Sequence, residues 1–141
     1  MKGLASMTGK GVLVAVLLAF VAFALLSLLG GAHYLETPLP GGLPFGNLLT
    51  ALGLCATAGA SLALSLPGTR RRTLAATSLA AAVAWLPVSV LLAGNPQLNF
   101  GDERGHVWLA FSVAVVVGAC STLGWGLGAS VLAKFRSADA A

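Results

Sequence analysis

Residues 12–29 read VLVAVLLAFVAFALLSLL, a run of 18 residues with no charge and almost no polar atom. As a helix rising 1.5 Å per residue it spans about 27 Å, close to the roughly 30 Å hydrocarbon core of a bilayer. Lys2 and Lys10 ahead of the run, and Gly30, Gly31 and Ala32 behind it, also suit the two ends of a signal peptide. The apolar run is longer than the roughly 7–15 residues of a signal core, so the reading is a retained membrane span.

Outward from this segment the same pattern repeats. Stretches 11–35, 37–69, 73–101 and 105–133 contain no Asp, Glu, Lys or Arg. Trimmed of their Gly- and Pro-rich ends, they predict helices over 12–29, 45–66, 73–93 and 107–133. The apolar runs are continuous and rich in Leu and Ala, whereas a membrane β-barrel needs alternation over strands of about 10 residues. Charged residues make up 9% of the 141-residue chain, against about 25% in a soluble domain, and the mean hydropathy is +0.92. Too little polar surface remains to cover a soluble core, which excludes a soluble enzyme, a disordered chain and a disulfide-stapled secreted domain. The expected fold is all-α, an integral membrane four-helix bundle forming a single transmembrane domain over 1–141.

Lys and Arg set the orientation. Lys2, Lys10, Arg70, Arg71, Arg72, Lys134 and Arg136 fall on one side of the predicted spans, and Arg104 alone on the other. Positive residues stay in the cytoplasm, so both termini and an arginine-bearing loop between helices two and three are expected inside. Loops 30–44 and 94–106 are then external, in a multi-pass protein of the cell's inner membrane. The net charge of +4 follows from this layout and from anionic lipid headgroups, the bilayer being the first partner. It does not indicate nucleic acid.

Small residues recur every four positions on two helices. Gly53, Thr57, Ser61 and Ser65 do so on helix two, and Gly118, Thr122, Gly126 and Ser130 on helix four, where Gly124 and Gly128 add a GxxxG pair. Residues four apart share a face. Small ones let backbones approach, and hydroxyls can bond across the gap. The ridges therefore suit packing of helices two and four within the bundle, or docking of another subunit or a second copy. Pro87 predicts a kink in helix three.

Chemical groups are sparse. The span interiors hold no Asp, Glu, Lys, Arg or His, which argues against proton-coupled transport or voltage sensing. Cys55 and Cys120 form no CxxC pair and read as small hydrophobes. The external loops carry the one polar cluster, His33, Glu36, Asp102, Glu103 and His106. Imidazoles and carboxylates suit Zn²⁺ or Cu²⁺ if three or four converge, but their spacing fixes no site, and Asp102-Glu103-Arg104 also reads as a solvated turn. Tyr34 and Trp108 are placed at the outer interface, with Trp85 and Trp125 deeper as packing residues.

The layout differs from small multidrug exporters, which depend on an acidic residue in the first span, and from disulfide-forming membrane proteins, which need paired cysteines. Pro40-Gly41-Gly42-Leu43-Pro44-Phe45 is similar to the Pro/Gly-rich segment preceding the second span in small membrane subunits of tripartite carboxylate transporters, and the similarity ends there. The leading expectation is a non-catalytic membrane subunit or accessory protein of a larger complex, with no cofactor, partnered by other membrane subunits or by itself. An oligomeric channel or carrier for a small solute is the second reading. A metal- or quinone-binding protein using the outer cluster is the third.

Overall fold

A computed structural model describes residues 9–139; Lys2 and the side chains of Asp102 and Asp139 lie outside the described residues. Four helices follow one another: α1, Gly9–Leu29; α2, Phe45–Ala63; α3, Arg70–Ala93; and α4, Asp102–Asp139. A single 3-10 turn, His33–Glu36, sits between α1 and α2. All four helices are long and apolar enough to cross a membrane.

Several helix ends depart from the hydropathy boundaries: α1 begins at Gly9, three residues before the predicted 12, and α4 runs to Asp139, six beyond the predicted 133. Thr69 caps α3, its Oγ1 accepting from Arg72 N–H at 3.2 Å, so Arg70, Arg71 and Arg72 form the first turn of α3 rather than a loop. Helix α4 starts at Asp102, five residues before the predicted 107, with Glu103 in its first turn, where negative charge opposes the positive end of the helix dipole. Residues 102–104 are therefore helical and not a solvated turn. Helix α2 stops at Ala63, three residues short of the predicted 66, as Leu64 caps it and Ser65 turns toward Pro67 and Gly68. Gly94 ends α3 at φ 70°, a left-handed conformation that glycine adopts without steric cost.

Helix α2 is the hub. It packs against α1, α3 and α4, while α3 also packs against α4 and α1 rests chiefly on α2. Composition explains this placement. The α2 sequence FGNLLTALGLCATAGASLA carries Gly, Ala, Ser or Thr on every face, so three neighbours can approach it closely. Ala58, Ala60 and Ser61 have no exposed surface. The most apolar window of α1 has mean hydropathy 3.1 and is 17% buried, whereas that of α2 has 1.4 and is 44% buried. The helix with the least covering is the more apolar, the reverse of a water-soluble protein and the order expected where the outer solvent is hydrocarbon.

Contacts fix the directions. Gly53 faces Ala24 and Gly59 faces Leu17, so α1 and α2 run antiparallel. Ser78 lies against Gly118, and Trp85 and Ser89 pair with Ser112 and Trp108, so α3 and α4 are antiparallel as well. Leu54, Ala58, Ala82, Trp85, Val115 and Ala119 form the shared centre of α2, α3 and α4. At one end lie Lys10, the α3 arginines, Lys134 and Arg136; at the other lie the 3-10 turn with Glu36 and the start of α4 with Glu103.

A Cβ at Gly53 meets Ala24 Cβ at 3.3 Å, and one at Gly126 meets Leu64 Cβ at 3.4 Å, whereas Gly124 has no neighbour within 4 Å. Gly53→Leu and Gly126→Leu are therefore expected to destabilise the protein by about 1–3 kcal/mol through overpacking. Gly124→Leu leaves the stability of the single chain within about 0.5 kcal/mol. Unfolding of the purified variants in mixed detergent micelles measures the difference.

Candidate functional site

The acidic end is built from two short connections. In the first, Tyr34 Oη donates to Ser27 Oγ at 2.5 Å and its ring meets Phe45 edge-on, which folds the 3-10 turn back over α1 and α2. A turn at Pro40-Gly41-Gly42, closed by Gly42 N–H to Leu39 O at 2.8 Å, leads into α2. In the second, Asn95 Nδ2 donates to Asn99 O at 2.9 Å while Asn95 Oδ1 accepts from Asn99 N–H at 3.0 Å, and this reciprocal pair holds the loop between α3 and α4. The two connections touch at Gly42, where an added Cβ falls 2.5 Å from Gln97 Nε2.

That contact does not assemble the acidic and imidazole side chains. His33 Nδ1 lies 4.0 Å from Glu36 Oε2 with both side chains in solvent, and no other basic nitrogen approaches a carboxylate this closely among the described residues. At such exposure a pair of this kind contributes little to stability. Glu103 and His106 point outward from the start of α4. Among the described residues, no three His, Cys, Asp or Glu groups converge as a metal would require. The Asn95 side chain serves the turn itself, bonding to Ala93 O and to the Asn99 backbone.

The strongest polar construction is the seam between α3 and α4. Trp85 Nε1 donates to Ser112 Oγ at 2.9 Å, Trp108 Nε1 donates to Ser89 Oγ at 2.9 Å, and Ser89 Oγ donates to Trp85 O at 2.6 Å. Phe100 stacks on Trp108 with ring centroids 4.7 Å apart. Each helix thus contributes an indole and a hydroxyl. In a medium without water, each indole N–H needs such a partner. Trp108 accordingly turns its N–H into the seam, whereas Trp125, expected to pack inside, is 54% exposed on the outer face of α4.

At the basic end the arginines cap a neighbour. Arg71 Nη2 donates to Leu64 O, and Arg72 Nη1 to Ser65 O at 3.5 Å. These carbonyls follow the C-terminus of α2, where the helix dipole is negative, so positive charge is favourable there. Arg71 and Arg72 thus join the end of α2 to α3.

Comparison with known protein families, curated proteins and solved structures finds no match. The reading of function therefore rests on the geometry of this chain.

The small-residue ridges divide into used and unused faces. Thr57 Oγ1 donates to Gly53 O, Ser65 Oγ to Ser61 O, Thr122 Oγ1 to Gly118 O and Ser130 Oγ to Gly126 O. These hydroxyls bond along their own helix, four residues back, instead of across the gap. The ridges work by small size. Gly53 faces α1, Gly118 faces α3, and Gly126 faces the end of α2. Gly124 and Gly128 have nothing within 4 Å, and with the exposed Cys120 and Ser121 they leave a small-residue strip on the outside of α4. Beside it a groove of ≈ 300 Å³ runs between α3 and α4, lined by Thr77, Ser78, Gly118 and Ser121 among others. Ser61 and Ser78 hydroxyls are buried without a partner among the described residues.

Two outcomes follow. The double variant His33→Ala/His106→Ala is expected to change stability by less than about 0.5 kcal/mol and to leave the metal content of the purified protein unchanged, as measured by elemental analysis. Ser89→Ala removes the acceptor of one indole and the donor to the Trp85 carbonyl. It is expected to cost about 0.5–2 kcal/mol, with a change in tryptophan fluorescence that the histidine variant lacks.

Proposed function

We propose that the chain is a non-catalytic, multi-pass subunit of the inner membrane, with both termini in the cytoplasm, that packs as an accessory protein against other helices of a larger membrane complex. The carrying observation is the outward strip of Gly124 and Gly128, which have no neighbour within 4 Å. Glycine facing lipid gains no packing, whereas against another helix it permits close backbone approach. The other glycines of the ridges already have such neighbours within the chain. The centre of the assembly is filled by Ala58, Ala60, Ser61, Ala75 and Ala119, all with no exposed surface, which favours a packing role over conduction through a single copy.

The orientation rests on charge. Lys10, Arg70, Arg71, Arg72, Lys134 and Arg136 gather at one end of the helices, the pattern of a cytoplasmic face. A reporter enzyme fused after Arg136 is expected to read cytoplasmic, and one inserted at Gly101 external. An external C-terminus contradicts the orientation.

Assembly is tested by mild-detergent extraction from native membranes, followed by mass determination. The proposal expects a stoichiometric complex with a different membrane polypeptide, lost on Gly124→Leu/Gly128→Leu while the single chain stays folded. A homo-oligomer alone, conducting a solute in liposomes, contradicts the accessory role and supports an oligomeric channel.

A further inference from the structure

A second cavity, of ≈ 420 Å³, opens at the basic end of the helices, between the start of α1 and the end of α2. Gly9, Lys10 and Leu13 line it from α1, Gly59, Leu62 and Ala63 from α2, and Arg72 from the first turn of α3. Its composition is amphipathic. Leu13, Leu62 and Ala63 give an apolar wall, Gly59 leaves room beside it, and the two charged groups that border it are both cations. Of the described carboxylates, Glu36 in the 3-10 turn and Glu103 in the first turn of α4 lie at the opposite end. The apolar wall is continuous with the exposed side of α1, where Val12, Leu13 and Val16 are each about half exposed.

We propose that this cavity binds the headgroup phosphate of an anionic phospholipid, held between Lys10 and Arg72, with the acyl chains lying along the exposed face of α1. Lys10 supplies a mobile point charge and Arg72 a planar fork of donors, one of which reaches Ser65 O while the others remain for a phosphate oxygen. Basic pockets between helices at the membrane surface select anionic headgroups in this way. The apolar wall is what distinguishes a lipid from a free anion: inorganic phosphate gains nothing from Leu13 or Leu62. Since α1 rests chiefly on α2, a lipid seated here also ties α1 to the remaining helices at the end where Arg72 reaches across.

The experiment titrates the detergent-purified full chain with phosphatidylglycerol and reads the rise in thermal unfolding midpoint to obtain an apparent Kd. Phosphatidylcholine and inorganic phosphate are titrated alongside. The expected result is stabilisation by phosphatidylglycerol alone. Lys10→Gln is expected to weaken the apparent Kd about fivefold and Lys10→Gln/Arg72→Gln about 25-fold, from the usual contribution of one basic residue near an anionic surface. Lys134→Gln/Arg136→Gln removes the same number of charges from the same end and is expected to stay within about twofold, because neither residue borders the cavity. Lys10 donates no hydrogen bond among the described residues, so its single variant keeps the test open if the Arg72 substitution impairs folding. Equal weakening in the Lys134/Arg136 variant overturns the proposal in favour of diffuse surface charge. Equal stabilisation by inorganic phosphate overturns the lipid assignment in favour of a free anion. Equal stabilisation by phosphatidylcholine overturns headgroup selection altogether.

Discussion

Ala58, Ala60 and Ser61 lie at the middle of α2 without exposed surface, and the approach of three helices to this one segment governs the remaining architecture. Hydrocarbon solvates Leu as well as a protein interior does, so apolarity alone gives such helices little reason to associate. Closeness does, because dispersion between many atoms accumulates only at contact distance. Small side chains on every face of α2 make that closeness available on three sides. The larger residues of α1, by contrast, are spread over its exposed surface, where Leu26 and Leu29 are 74% and 84% exposed.

Polar groups then refine what small residues allow. The α3–α4 seam is held by indoles that donate to hydroxyls of the opposite helix, Ser89 accepting from Trp108 of α4 while donating to the Trp85 carbonyl of its own helix. The arginines of α3 stabilise the carbonyls that follow α2. Most of the remaining hydroxyls fold back on their own backbone and offer no donor to a neighbour. Two faces are left with unfilled space. One is the glycine strip of α4, which suits another helix. The other is the basic cavity beside α1, which suits a phosphate carried on an apolar tail.

The four long apolar helices were legible because charge-free stretches of sufficient length have few other interpretations, and the charge asymmetry between the two ends was equally visible. Three helix starts were misplaced, α1 at Gly9 among them, and for the other two the signals are local: Thr69 before the arginines, and Asp102-Glu103 ahead of an apolar run, are ordinary helix-start residues that hydropathy trimming discards. The Trp–Ser pairs were not legible. Their members lie 27 and 19 residues apart, and no local periodicity links an indole to a hydroxyl on another helix. The ridges were half legible. Spacing by four places Gly118, Thr122 and Gly126 on one face and Gly124 and Gly128 on another, about 200° around the helix for a two-residue offset, but the sequence does not say which face turns inward. The outer His and acidic residues had composition in favour of a site and no geometry, and the two connections meet through Gly42 and Gln97 instead.

The central position of α2 is tested most directly by intramolecular disulfide cross-linking in native membranes, with Cys55 and Cys120 first replaced by Ser. Paired cysteines at Ala24 and Gly53, and at Leu64 and Gly126, join α2 to α1 and to α4 where these residues meet. Both pairs are expected to form rapidly within one chain, while a pair joining α1 to α4, Leu18 with Val117, does not. Efficient intramolecular cross-linking of Leu18 to Val117, with failure of the Leu64–Gly126 pair, contradicts an arrangement organised around α2.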